Sequence, residues 1–180
     1  VNGDFAQAGI AGQIGTVTIS NWTVWGSSGW YADDIGGQMS VKFWAPDSGI
    51  YQDWTAAPGE VYSLSVQTYQ TAAEHLNLEQ AYLKVEWFDS GWGNLGNTVL
   101  ATMTTNSAEG SWVNLSGIAT AVNNTAHGRI TLGLQGADSS GAAFFDNADV
   151  VNVAIPEPGT LALFGLGIAG LWRLRRKIGS

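Results

Sequence analysis

Three stretches of the chain alternate strictly between apolar and polar residues. Tyr62, Leu64 and Val66 alternate with Ser63, Ser65 and Gln67; Leu83, Val85 and Trp87 with Lys84 and Glu86; Ile130, Leu132 and Leu134 with Arg129, Thr131 and Gln135. An extended chain points successive side chains to opposite faces, so each stretch must lay one face on a core and turn the other to water. Turn chemistry separates such runs: Ala45-Pro-Asp-Ser-Gly49, the Pro58-Gly59 pair suited to a type II turn, and the hairpin tip Asp89-Ser-Gly-Trp-Gly-Asn94. Strands are expected over Val1–Phe5 (at an edge), Thr16–Trp25, Met39–Trp44, Ile50–Ala56, Glu60–Tyr69, around 83–87, Val99–Thr104, Trp112–Val122, around 130–134 and Ala142–Val153. Trp30–Asp34 with Gly36-Gly37 reads as a loop rich in aromatics and carboxylates, and Ala72–Gln80 as either a helical turn or a long loop. Roughly ten short strands with no helix between them predict an all-β sandwich.

Charge narrows the partners. Residues 1–154, the length of one domain with a real core, hold Lys42, Lys84 and Arg129 against fourteen carboxylates, a net −11. Such a body repels nucleic acid and anionic surfaces; neutral ligands or cations suit it. The absence of cysteine excludes disulfides and thiolate metal sites. His75 and His127 have no partners at metal or triad spacing, and no G-x-S-x-G, H-E-x-x-H or P-loop is present. A glycosidase needs only two facing carboxylates. Asp33, Asp34, Asp53, Glu86 and Asp89 leave that open, although solvated acidic loops are the plainer reading.

The tail is built differently. Pro156-Glu157-Pro158 is followed by fourteen uncharged residues, Gly159–Trp172, and then by Arg173-Leu-Arg175-Arg176-Lys177. As a helix the uncharged stretch would span about 21 Å, against about 30 Å for the hydrocarbon core of a bilayer. It suits transient retention better than a permanent span. The prolines keep the backbone before it extended, the shape a protease grips. Gly165-Leu-Gly167-Ile-Ala-Gly170 spells G-x-G-x-x-G, but without a βαβ unit or a later acidic residue it is a smooth helix surface, not a cofactor site.

This order of triplet, apolar helix and basic cluster resembles the PEP-CTERM sorting signal of Gram-negative bacteria. The resemblance implies export, transient retention in the inner membrane with the basic end cytoplasmic, and processing near Pro156-Glu157-Pro158 by an exosortase, a membrane-embedded cysteine protease. Arg173, Arg175 and Arg176 would act as the stop. Proteins so marked accompany extracellular polysaccharide and biofilm matrix. An ordinary C-terminal anchor is the alternative, and it also implies export because positive residues favour the cytoplasmic side. A secretory leader is expected to have been removed or truncated before Val1. The chain thus divides into a body, 1–154, and a sorting signal, 155–180.

The body carries a second resemblance. Asn2-Gly3-Asp4-Phe5, Gly49-Ile-Tyr-Gln52, Pro58-Gly59, Tyr62-Ser-Leu-Ser65, Leu83–Asp89 and Ala143-Phe-Phe-Asp146-Asn stand in the order found in galactose-binding-like jelly rolls. Many carbohydrate-binding modules use that fold. The resemblance implies a structural Ca²⁺ where the first and last strands meet. Asp146 fits one ligand position, whereas Ala6 stands where the family prefers an acidic residue. Asp4 would have to compensate, so any calcium site is expected to be weak, and no cofactor is required.

Eight of the nine tryptophans lie in the body. Trp54 and Trp87 are in phase with buried strand positions and belong to the core; Trp22, Trp44 and Trp112 are assigned there less firmly. Trp25, Trp30, Tyr31 and Trp92 sit in or beside Gly/Ser/Asp segments, where an aromatic ring can stack on a sugar while Asp33 and Asp34 accept its hydroxyls. These six residues are the expected ligand contacts. The sequence therefore predicts an exported, non-catalytic jelly-roll sandwich. Its partners would be an exosortase, polysaccharide and, transiently, the inner membrane, and its destination the cell surface or extracellular matrix. A structural matrix protein without a ligand and a small glycan hydrolase remain as alternatives.

Overall fold

A computed structural model describes residues 5, 19, 21–26, 30–35, 38–136 and 141–153; for 30–34 and 38 the description is of the backbone alone. Asp4, Ala6, Pro156–Pro158, the expected helix Gly159–Trp172 and the basic cluster lie outside these residues.

Every element among the described residues is a strand. In chain order they are β1 (Thr23–Trp25), β2 (Trp30–Ile35), β3 (Gln38–Phe43), β4 (Ser48–Thr55), β5 (Val61–Tyr69), β6 (Gln80–Phe88), β7 (Asn94–Met103), β8 (Val113–Thr120), β9 (His127–Gln135) and β10 (Ala143–Asn152). They form two five-stranded sheets, β1-β4-β9-β6-β7 and β2-β3-β10-β5-β8, with every recorded pairing antiparallel.

Alternation does what the sequence requires. Leu64 and Val66 of β5, Leu83 and Val85 of β6, and Ile130, Leu132 and Leu134 of β9 are fully buried between the sheets, with Val41, Phe43, Ile50 and Phe145. Each such side chain contributes on the order of 1.5–3 kcal/mol relative to exposure. Trp54, Tyr62 and Trp87 close one end of this core, with ring centroids 5.4–6.0 Å apart. Trp22 is buried against Phe5. Trp112 packs on Tyr69 outside the core, 5.3 Å between centroids.

One expectation needs correction and one open choice is decided. Trp30–Asp34 is not a loop: it opens β2, which pairs with β3 from Trp30 opposite Phe43 to Ile35 opposite Gln38. Its Trp-Tyr start favours an extended chain, and Gly36-Gly37 between the paired ends is the composition of a two-residue hairpin loop. Of the two readings of 72–80 the loop holds: residues 72–79 are turns and bends leading into β6 at Gln80. Buried Gln70 organises them, accepting the Leu76 N–H and donating to the Thr104 and Ser107 carbonyls. Of Thr16–Trp25, residues 16–18 and 20 lie outside the described residues, and Thr23–Trp25 form a strand.

Candidate functional site

With Ile50, Ile130, Leu83 and Val85 turned inward, the intervening residues of β4, β9 and β6 share the outer face of their sheet. Register aligns them in rows. Thr55, His127, Phe88 and Asn94 form one; Asp53, Arg129, Glu86 and Asn97 the next; Tyr51, Thr131, Lys84 and Val99 a third; Gly49, Gly133, Tyr82 and Thr102 the fourth. From His127 to Gly133 the face runs about 20 Å at about 3.4 Å per residue.

The middle rows are polar and locked together. Arg129 donates from Nε and Nη2 to the two Asp53 carboxylate oxygens at 2.6 and 3.0 Å, and its guanidinium lies 3.7 Å from the Tyr51 ring centroid. Burial opposes the Arg129 charge, but the bonds and charge of Asp53, with Tyr51 and Glu86, outweigh it and hold the pKa above the ordinary arginine value. Glu86 accepts the Thr131 hydroxyl at 2.6 Å and pairs with Lys84 at 3.3 Å. Two of the three basic residues of the strongly acidic body thus sit on this face, each matched by a carboxylate. The face is locally neutral.

Aromatics frame it. At one end Trp25 of β1 lies over Gly49: a Cβ there would stand 2.9 Å from the indole Nε1 and only 2.2 Å from the Leu132 carbonyl oxygen. Tyr82 lies over Gly133 in the same way, and burial, then the charges of Glu86 and Asp47, push its hydroxyl pKa up. At the other end Trp92 stacks on His127, ring planes 1° apart and centroids 4.1 Å apart, with half the indole exposed. The hairpin holds it there through Asp89, whose Oδ1 accepts the Gly91 and Gly93 N–H groups at 2.9 and 2.8 Å. Trp92 itself takes a left-handed φ of 64°, which costs a residue with a Cβ on the order of 1–2 kcal/mol. Beside Tyr51, an open pocket of about 400 Å³ is lined by Asn21, Thr23, Tyr51, Gln52 and Asp53. A flat ring flanked by fixed donors and acceptors is suited to a sugar, whose C–H face stacks while its hydroxyls hydrogen-bond.

The expected ligand residues do not converge. Trp25 and Trp92 mark opposite ends of this face, while Trp30, Tyr31, Asp33 and Asp34 lie on β2, an edge strand of the other sheet. Sequence reasoning missed Tyr51, Arg129, Thr131 and Lys84, and weighed Asp53 and Glu86 only as catalytic carboxylates. Alternation assigns Tyr51 and Asp53 outward once Ile50 and Trp54 are inward; that β9 and β6 lie beside them is not a local property.

Asp146 is buried, and its Oδ1 accepts the Phe5 and Asn147 N–H groups at 3.5 and 2.7 Å. It ties the first segment to the last strand, where the jelly-roll resemblance puts calcium. Ca²⁺ takes six to eight oxygens, and among the described residues no three His, Asp or Glu side chains gather in a metal-binding group. The described donors fit a calcium site poorly.

Residues 154–177 match the PEP-CTERM protein-sorting motif, which implies export and exosortase-mediated sorting. No curated protein matches the chain. Among solved structures, the body is similar to a family 22 carbohydrate-binding module, the CBM22-2 xylan-binding domain of Paenibacillus barcinonensis, at 14% identity and a TM-score of 0.58, covering 83% of this chain and 97% of that one. The C-terminal family 22 module of Clostridium thermocellum xylanase 10B gives 15% and 0.57, covering 75% and 88%. A family 4 module gives 16% and 0.52, covering 85% and 99%. The chain spans only 27% of a two-module Clostridium thermocellum xylanase chain and 21% of a bacteriophage CBA120 tailspike protein that it also resembles. At such identities the likeness is one of fold: an all-β, two-sheet sandwich of the kind used by non-catalytic carbohydrate-binding modules.

Proposed function

We propose that the protein is an exported, exosortase-sorted polysaccharide-binding protein of the cell surface or extracellular matrix, and that it takes a neutral glycan on the outer face of the β1-β4-β9-β6-β7 sheet. The observation that carries this reading is the Tyr51–Asp53–Arg129–Glu86 constellation: a half-buried ring and fixed hydrogen-bonding groups on one sheet face, beside an open pocket that Tyr51 and Asp53 help to line, electrically balanced within a body of net −11. Sandwich modules that bind xylan in other proteins support the class of ligand. Binding suits the carboxylates better than hydrolysis does, since Asp53 is held by Arg129 and Glu86 by Thr131 and Lys84.

Electrophoresis through gels containing xylan, mixed-linkage glucan or galactan tests it. Retardation by at least one neutral glycan is expected, and Tyr51→Ala should weaken it by about thirtyfold, the loss typical of a central aromatic anchor. No retardation by any glycan would leave the structural matrix protein as the reading. Trp30, Tyr31, Asp33 and Asp34 are proposed as a flanking contact, which Trp30→Ala examines separately. Lost affinity at an unchanged melting temperature supports that role; a lower melting temperature with unchanged affinity sends Trp30 to the core and confines the ligand to the Tyr51 face.

A further inference from the structure

Among the described residues, five of the seven exposed large apolar side chains lie at or beside one end of the sandwich; Leu78 is exposed at the other end and Val99 on the outer face of β7. Three described connections close the first of these ends: 56–60 between β4 and β5, 89–93 between β6 and β7, and 121–126 between β8 and β9. They are tied by Ala56 N–H to Ala126 O (3.1 Å), Gly59 N–H to Ala121 O (2.9 Å) and Ala126 N–H to Phe88 O (2.8 Å). The chain leaves from the same end, where the Val153 N–H bonds the Val61 carbonyl at 2.7 Å. Trp92, Val122 and Val153 are exposed there, and Ile118 and Val151 flank them, both in register with Ser63 of β5. An open groove of about 330 Å³ lined by Trp87, Leu100, Ile118 and Val122 continues this surface between β7 and β8.

Charge is sparse in these described connections, which carry only Glu60 and Asp89. Glu60 accepts the Ala57 N–H, the Tyr62 hydroxyl and the Asn152 amide, and Asp89 accepts two backbone N–H groups. The described connections at the opposite end carry Asp47, Glu74, Glu79 and Glu109.

The sequence beyond Val153 identifies the surface that covers this end. Five residues, 154–158, separate it from the uncharged stretch; fully extended they reach about 17 Å. As a helix that stretch spans about 21 Å, about 9 Å less than the hydrocarbon core. With Arg173–Lys177 held at one surface, the stretch falls short of the other, and residues 154–158 must begin within the lipid. Extended, these residues spend about 9 Å of their reach regaining the surface, which leaves the end of the sandwich within about 8 Å of the hydrocarbon, about the depth of the headgroup layer. A tryptophan half out of the protein on a strained backbone suits a headgroup layer, where indoles concentrate.

We propose that in the membrane-held precursor this end, with Trp92, Val122 and Val153 foremost, rests in the headgroup region of the bilayer that holds the sorting segment. The proposal rests on the sorting reading, and its test separates the two. Because the chain has no cysteine, a single introduced one reports alone. The full chain carrying Val122→Cys, or Leu78→Cys in the connection at the opposite end, is spin-labelled and incorporated into vesicles of phosphatidylethanolamine and phosphatidylglycerol. Vesicle incorporation should raise the oxygen-to-nickel-chelate accessibility ratio several-fold at residue 122 and leave it unchanged at residue 78; Val153→Cys gives the same reading if Val122→Cys misfolds. Equal, water-like accessibility at both ends of a protein that floats with the vesicles overturns the proposal alone. A chain that does not float overturns the membrane-held reading and the proposal with it.

Discussion

The Tyr62 hydroxyl donates to Glu60 Oε2 at 2.5 Å from a ring that is 4% exposed. Burial first, and then the bond and charge of Glu60, push its pKa from 10 up to about 12. The folded state therefore holds this proton more tightly than the unfolded chain does. The resulting stability is whole below about pH 10 and is lost as the pH rises towards about 12. Denaturant midpoints should fall across that window, and the fall should be smaller in Tyr62→Phe, without vanishing, because Tyr82 is shifted in the same direction. An equal fall in wild type and Tyr62→Phe would remove Tyr62 as a cause.

At the scale of elements, two positions show how strands and turns aim the side chains. Gly128 of β9 lets the Trp54 ring approach the backbone closely; a Cβ there would come within 2.4 Å of Trp54 Cε2 and Cζ2. Gly128→Ala must displace a ring held by Tyr62 and Trp87, so a loss of about 1–3 kcal/mol is expected in chemical unfolding. A Cβ at Gly59 meets nothing within 4 Å, but a φ of +82° makes Gly59→Ala costly through the backbone alone. In the β6–β7 hairpin, Asp89→Ala leaves two N–H groups to water and loosens the turn that presents Trp92. Its stability cost should be small, about 1 kcal/mol, because the site is exposed. Its signature should be spectroscopic: the ring-current shift of the His127 protons under Trp92 diminishes. Unchanged His127 shifts would mean that the stack does not depend on Asp89.

For the whole molecule, the sandwich and the sorting signal abut without a linker, since the last strand bond, from Val153, immediately precedes the motif at 154. Processing near Pro156–Pro158, as the sorting reading implies, would take place within a few residues of the strand bond at Val153. Replacing Arg173, Arg175, Arg176 and Lys177 with neutral residues should abolish retention at the inner membrane and leave the precursor uncleaved. Fractionation and intact mass check this, and unchanged location and mass would exclude the basic cluster as the stop.

Some of this was legible in residue order. Period-two alternation located β5, β6 and β9 and put Trp54 and Trp87 in the core, because side-chain alternation is a local consequence of an extended backbone. The tail motif was readable for a similar reason: apolar length, prolines and a basic cluster are properties of local composition and order. The β2 strand was misread because its aromatics and carboxylates suggested a loop, and partnership with β3 outweighed that suggestion. Of the candidate site, the framing Trp25 and Trp92 stood out among Gly, Ser and Asp residues, but its centre was out of reach. Arg129 meets Asp53 across 76 residues of chain only because β4, β9 and β6 lie side by side. That order is set by the closing of the whole sandwich over one core, an energy no single strand carries.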